Sequence, residues 1–212
     1  MNATTRFRTE LLAALDPRLE IRGFRRRKDS FAWTRQVSAD RTQSVHLNFG
    51  LYPGAAEVSV IPTVGVRFAM LEAGLVAAGV VPKTGSRDRS TVGFAIRPAD
   101  AQAYAFSAGE HPSTAAAALW HDLEARAFPR LEEAGSLDHV IAALASPEPD
   151  RWGILSRSAR ARLWPLALQA AGRRREALAV LPQLENEMSG VDQMMPPFEH
   201  FAAWFRAQAA SE

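Results

Sequence analysis

The chain has 212 residues, 47% of them hydrophobic and 23% charged, with a formal net charge of +2 and no cysteine. A chain of this length buries roughly 70% of the surface its unfolded form exposes, enough for a core without cross-links. Lack of cysteine excludes disulfides, thiolate nucleophiles and thiolate metal sites, and no apolar run approaches the roughly 20 residues of a membrane span. The first residues, Met1 to Arg6, lead straight into an amphipathic pattern with no apolar signal core, which predicts a cytoplasmic protein.

Thr4 or Thr5 caps a first helix in which Phe7, Leu11, Leu12 and Leu15 recur at helical spacing, with Asp16-Pro17 disturbing its end, Leu19 and Ile21 continuing the apolar stripe, and Gly23 suited to a left-handed cap. Phe24 to Lys28, Asp29-Ser30 and Phe31 to Val37 read as strand, tight turn, strand, with Phe24, Phe31 and Trp33 inward and Arg25 and Arg27 outward. Val45, Leu47, Phe49 and Leu51 alternate with Ser44, His46, Asn48 and Gly50. After Pro53-Gly54 the same period returns in Val58, Val60, Pro62 and Val64. This describes two antiparallel strands with one buried face.

Phe68 to Ala78 switches to helical spacing before Gly79, and Pro82 to Arg89 is a polar loop. Thr91, Val92, Phe94 and Ile96 suggest a strand, with Tyr104 to Phe106 pairing with it across Pro98 to Ala101. Ser113 opens a long helix through Leu119, Trp120, Leu123, Phe128 and Leu131 that Pro129 bends or breaks, and Ser136 caps the next. Pro147 and Pro149 mark a boundary between an α+β sheet domain, 1–147, and a helical extension, 150–212. In that extension Ala170 to Leu181 reads as the turn of a single helical hairpin, since a solenoid needs about three such units at a period of ~34 residues.

The leading helix, the Gly23-Phe24 junction with its basic run, Phe31 and Trp33, the strands Val45 to Leu51 and Val58 to Arg67, and the closing helices Leu119 to Leu144 resemble a bacterial family called domain of unknown function 4304, over about residues 4 to 146. The resemblance implies an α+β fold, no settled activity, and a companion role to toxin genes. This chain departs from the pattern at Phe68 to Ala78, in the loop from Pro82 and after Pro149.

No chemical motif stands out. Of the five histidines only His121 has acidic neighbours, Asp122 and Glu124, and no pair stands at the i, i+4 spacing of zinc hydrolases. Ser107-Ala108-Gly109 and Gly85-Ser86 lack a nucleophile elbow, and Gly85 to Ser90 lacks the spacing of a P-loop. We therefore expect no cofactor and no metal. Residues 1 to 41 hold ten Lys and Arg against five Asp and Glu, an excess that invites an anionic partner. The bias of Arg over Lys, together with the alanine run Ala115 to Ala118, also fits a GC-rich coding sequence, which raises Arg for reasons unconnected with binding.

The expected architecture is α+β: an antiparallel meander of about four to six strands covered on one face by helices, then the helical extension. The expected function is that of a small non-catalytic binding protein, of immunity or toxin-neutralising type, contacting a protein partner through Arg25, Arg27, Arg35, His46 and Arg67 near the sheet's open side. The second reading is a nucleic-acid-associated protein using the basic amino-terminal run, and the third an enzyme. Met194, Met195, Phe198, Phe201, Trp204 and Phe205 would favour a homodimer if they failed to pack within the monomer.

Overall fold

The computed structural model describes residues 3–28, 30–50, 57–82, 90–107, 109–146, 156–189 and 195–211. These form two compact units, Met1–Val66 with Phe94–Glu133, and Arg67–Gly93 with Ala134–Glu212. The turn at Pro53-Gly54, the loop at 83–89 and the expected boundary at Pro147 to Pro149 lie outside the described residues.

In the first unit, helix α1 (Ala3–Ile21) buries Phe7, Leu11, Leu15 and Leu19, one every four residues along a single stripe. Asp16-Pro17 does not end it. The helix runs on for another turn, because Leu19 is fully buried and holds that turn on the core. It stops where Gly23 takes φ 80°, with Gly23 N–H donating to the Glu20 carbonyl and Phe24 N–H to the Leu19 carbonyl. This is the glycine-terminated Schellman arrangement, and Leu19 and Phe24, both fully buried, supply its apolar contact.

Among the described residues, six strands form one antiparallel sheet: β1 (Arg25–Arg26), β2 (Ala32–Ser38), β3 (Arg41–Gly50), β4 (Glu57–Phe68), β5 (Val92–Ala95) and β6 (Tyr104–Ser107), with β1 to β5 adjacent in that order. Trp33 opposes Val45, both fully buried, and Val58, Val60, Pro62 and Val64 share the buried face of β4. The alternation therefore places the sheet's two faces as expected. One expectation fails, that Phe31 faces inward, and Val37 also departs from the alternation. Val37 is the extra residue where the β2–β3 register shifts between Gln36 and Ser38, a bulge that turns it out to 47% exposure. Phe31 precedes the strand, and its ring is 39% exposed, edge-on to Phe49 with the Arg8 guanidinium over it.

The pairing of Tyr104 to Phe106 with the Val92 strand is also corrected. β6 pairs with the start of β4, Val58 opposite Phe106 and Val60 opposite Tyr104, while Ile96 N–H donates to the Pro62 carbonyl. Since β3 occupies the other side of β4, β5 and β6 are two halves of one interrupted strand along the same edge. The excursion between them is pinned by Arg97 donating to Gln102 and by Arg126 donating to the Arg97 carbonyl.

The helices α3 (Pro112–Asp122) and α4 (Phe128–Glu133) are joined by a π-helical turn, Leu123–Ala127. Pro129 has no N–H to donate to the preceding turn, and the wider π turn just before it gives its ring room. The cap of α3 is His111, whose Nδ1 accepts from the Ser113 N–H, and not Ser113 itself.

In the second unit α2 (Ala69–Ala77) packs on α6 (Arg157–Ala170), so closely that a Cβ on Gly74 would stand 2.7 Å from Leu166. The hairpin read at Gly172 is present: Gly172 has φ 75° between α6 and α7 (Arg174–Ala179), followed by α8 (Leu181–Ser189) and α9 (Met195–Ser211). Phe198, Phe201 and Phe205 are buried, and α9 packs on α6 and α8. Arg160 is buried over the Trp164 ring, donates from Nε to the Leu144 carbonyl of α5 (Leu137–Ala145) at 2.6 Å, and pairs with Glu187.

Substitutions at these joints test their contribution to stability. Gly23→Ala forces a left-handed Cβ to 3.3 Å from Arg35 Cδ and should cost about 1–2 kcal/mol in denaturant unfolding. Arg160→Met keeps the apolar stem but strands the Leu144 carbonyl, and should cost about 1–3 kcal/mol. Glu187→Gln should cost less, because its side chain is 34% exposed and can be hydrated.

Candidate functional site

The amino-terminal basic run is built around one carboxylate. Trp33 is fully buried, so its indole N–H needs an internal acceptor, and Asp16 Oδ1 provides it at 2.7 Å. The same carboxylate accepts two bonds from Arg26, Nε to Oδ1 and Nη2 to Oδ2, each 2.8 Å. Burial raises the Asp16 carboxyl, but the hydrogen bonds from Arg26 and Trp33 and the Arg26 charge outweigh it and hold it below the ordinary Asp value.

This triad ties β1 and β2 to α1 and sets the direction of the four consecutive cations Arg25 to Lys28, all exposed. Arg26 is spent on Asp16. Arg25 and Arg27 flank it in the sequence and stand outward, as strand alternation requires. Arg25, Arg26, Arg27 and Lys28 line a groove of about 790 Å³ with Asp16, Glu20, Gly23 and Phe24.

A second groove of about 630 Å³ is lined by Arg18, Ile21, Arg22, Arg35, Trp120 and Glu124. Ile21 is 88% exposed there. Arg22 lies over the Phe128 ring at 4.6 Å and near Trp120 at 5.9 Å, with Arg18 Cζ 5.8 Å from the same indole. Arg22 Nη2 also donates to Glu124 Oε1 at 3.0 Å, and Glu124 belongs to the π turn.

Of the remaining expected residues, Arg35 lines the second groove but is bound internally, and His46 and Arg67 lie elsewhere. Arg35 stands on the helix-covered face and not the open one: it opposes Gln43, donates to Gln43 Oε1 from Nε and Nη2 and to the Arg22 carbonyl from Nη1, and covers Phe24 at 4.7 Å. Gln43 in turn donates to the Leu131 carbonyl of α4. Arg35 therefore works as a structural tie. His46 is half-buried opposite Ala32 on the other face, two residues from Asn48, which donates to Thr63 Oγ1 and the Ile61 carbonyl. Arg67 belongs to the second unit, where its Nε is buried with no hydrogen-bond partner among the described residues.

Ile21, Trp120 and Glu124 were missed as site residues, and the sequence carries a signal for the first. Leu19 joins the apolar stripe as expected but Ile21 does not, because it lies about 200° round the helix from Leu19, given 3.6 residues per turn, and so points away from the core. Tyr104, which donates to Asp122, is pushed well above its ordinary value by burial and then by that carboxylate, so it stays a protonated donor. Among the described residues no group of three or more His, Asp or Glu could hold a metal ion, and no helix is long and apolar enough to cross a membrane. No family model, curated protein or solved structure matches the chain.

Because the Asp16 carboxyl is lowered in the folded state, the stability it supplies is complete above the unfolded Asp value of about 3.9 and is lost as pH falls through the folded one. Acid titration of the unfolding temperature should show this loss in the wild type and a shallower one in Asp16→Asn. Asp16→Ala, which leaves the Trp33 N–H unpaired, should cost about 2 kcal/mol at neutral pH.

Proposed function

We propose that the chain is a non-catalytic binding protein that docks an acidic segment of a protein partner against the basic corner where α1 meets β1. The observation that supports this is the exposed run Arg25 to Lys28, held in direction by the Asp16 bonds to Arg26 and Trp33. Long flexible cations lose entropy when they bind, and a rigid backbone beneath them lessens the remaining cost. A toxin-neutralising role, as the family resemblance implies, is one case of this class.

A protein ligand suits the corner better than nucleic acid. The two grooves include the carboxylates Asp16, Glu20 and Glu124, which oppose an unbroken anionic backbone more than a segment whose carboxylates are spaced by neutral residues. Stacking on bases needs open aromatic faces. Phe24 and Trp33 are buried, Phe31 is covered by Arg8, and the half-exposed Trp120 is flanked by Arg18 and Arg22.

The test is fluorescence anisotropy of the intact protein against a labelled glutamate-rich peptide and a single-stranded oligonucleotide of equal charge. The peptide should bind at low salt and weaken between about 50 and 200 mM, and the double variant Arg25→Glu, Lys28→Glu should lose about tenfold. Equal binding by the double variant, or clear preference for the oligonucleotide, would sink the reading.

A further inference from the structure

We infer that the groove lined by Ile21, Trp120 and Arg22 is the specificity pocket of this corner. It takes an apolar side chain that neighbours a carboxylate in the partner's acidic segment. This rests on the binding function proposed above and adds to it the chemistry the partner must carry.

Ile21, 88% exposed on the last turn of α1, is placed where the helix stripe gives it no core to join. A large aliphatic group left in water beside a half-exposed indole gains by being covered. The pocket's charge then selects what covers it. Arg18 and Arg22 flank the indole, and Arg22 has its guanidinium positioned by Phe128 and Trp120. One edge of that guanidinium already meets a carboxylate, Glu124 Oε1 at 3.0 Å, through a single bond in which both side chains are substantially exposed, 38% and 45%.

Such a pair contributes little to stability. Glu124 is therefore an internal stand-in, held out by the π turn, that a partner carboxylate replaces on Arg22 while the neighbouring apolar group settles on Ile21 and Trp120. The adjoining run Arg25 to Lys28 meets the rest of the acidic segment.

The experiment uses two labelled peptides, one of glutamate and glycine and one in which a single glycine is leucine, titrated into the full chain. The leucine peptide should bind about fivefold more tightly. Ile21→Ser, which adds no charge, should bring the leucine and parent peptides to within about twofold of each other, and Glu124→Gln should tighten the leucine peptide about threefold. Both substitutions are at exposed positions, so their thermal unfolding should match the wild type. A leucine gain that survives Ile21→Ser, or a Glu124→Gln variant that binds no tighter, overturns the pocket while the basic corner stands. Failure of both peptides to bind overturns the corner and the pocket together.

Discussion

A buried indole N–H that must find an acceptor fixes the amino-terminal half of this protein. Trp33 sits at the centre of the first core with no exposure, and leaving its donor unpaired would cost about 1–3 kcal/mol. Asp16 satisfies it from α1, and a carboxylate brought so close to the core requires a counter-charge, which Arg26 supplies in bidentate form. One interaction thus sets the helix against the second strand and forces β1, only two residues long, to leave the helix with its neighbouring cations outward.

The sheet was legible because its signal is local. Val58, Val60, Pro62 and Val64 alternate without interruption, and a slip of one residue would put every one of them in water. What was not legible shares a different cause. Val37 follows the alternation in sequence but leaves it in space, because a bulge depends on which residue the partner strand presents. The pairing of β6 with β4 depends on a long-range choice of edge that neither segment encodes by itself. The π turn before Pro129 is visible only as a proline in an otherwise helical pattern, which is equally compatible with a break.

The site was half legible for a related reason. Charge counting finds the Arg-rich region but cannot divide it into arginines that hold the fold and arginines left for a partner. Arg35 is spent on Gln43 and the Arg22 carbonyl, Arg160 on Leu144 and Glu187, and Arg126 on the Arg97 carbonyl. Guanidinium suits such work because its planar fork satisfies several carbonyls at once and stacks on rings, as Arg35 does on Phe24. A composition rich in Arg and poor in Lys therefore says as much about internal carbonyl capping as about anionic partners.

What survives that division is small and one-sided. Arg25 and Lys28 stand exposed beside an arginine already neutralised by Asp16, and a few residues back Ile21 projects into solvent between guanidiniums. Charge alone would attract any polyanion, and would be screened within about 10 Å at 0.1 M salt. An aliphatic group among cations adds a contact that salt does not weaken and that a phosphate backbone cannot make. In the proposed binding role, the combination would therefore discriminate by the side chains of the ligand as well as by its charge, as choosing one acidic surface among many requires.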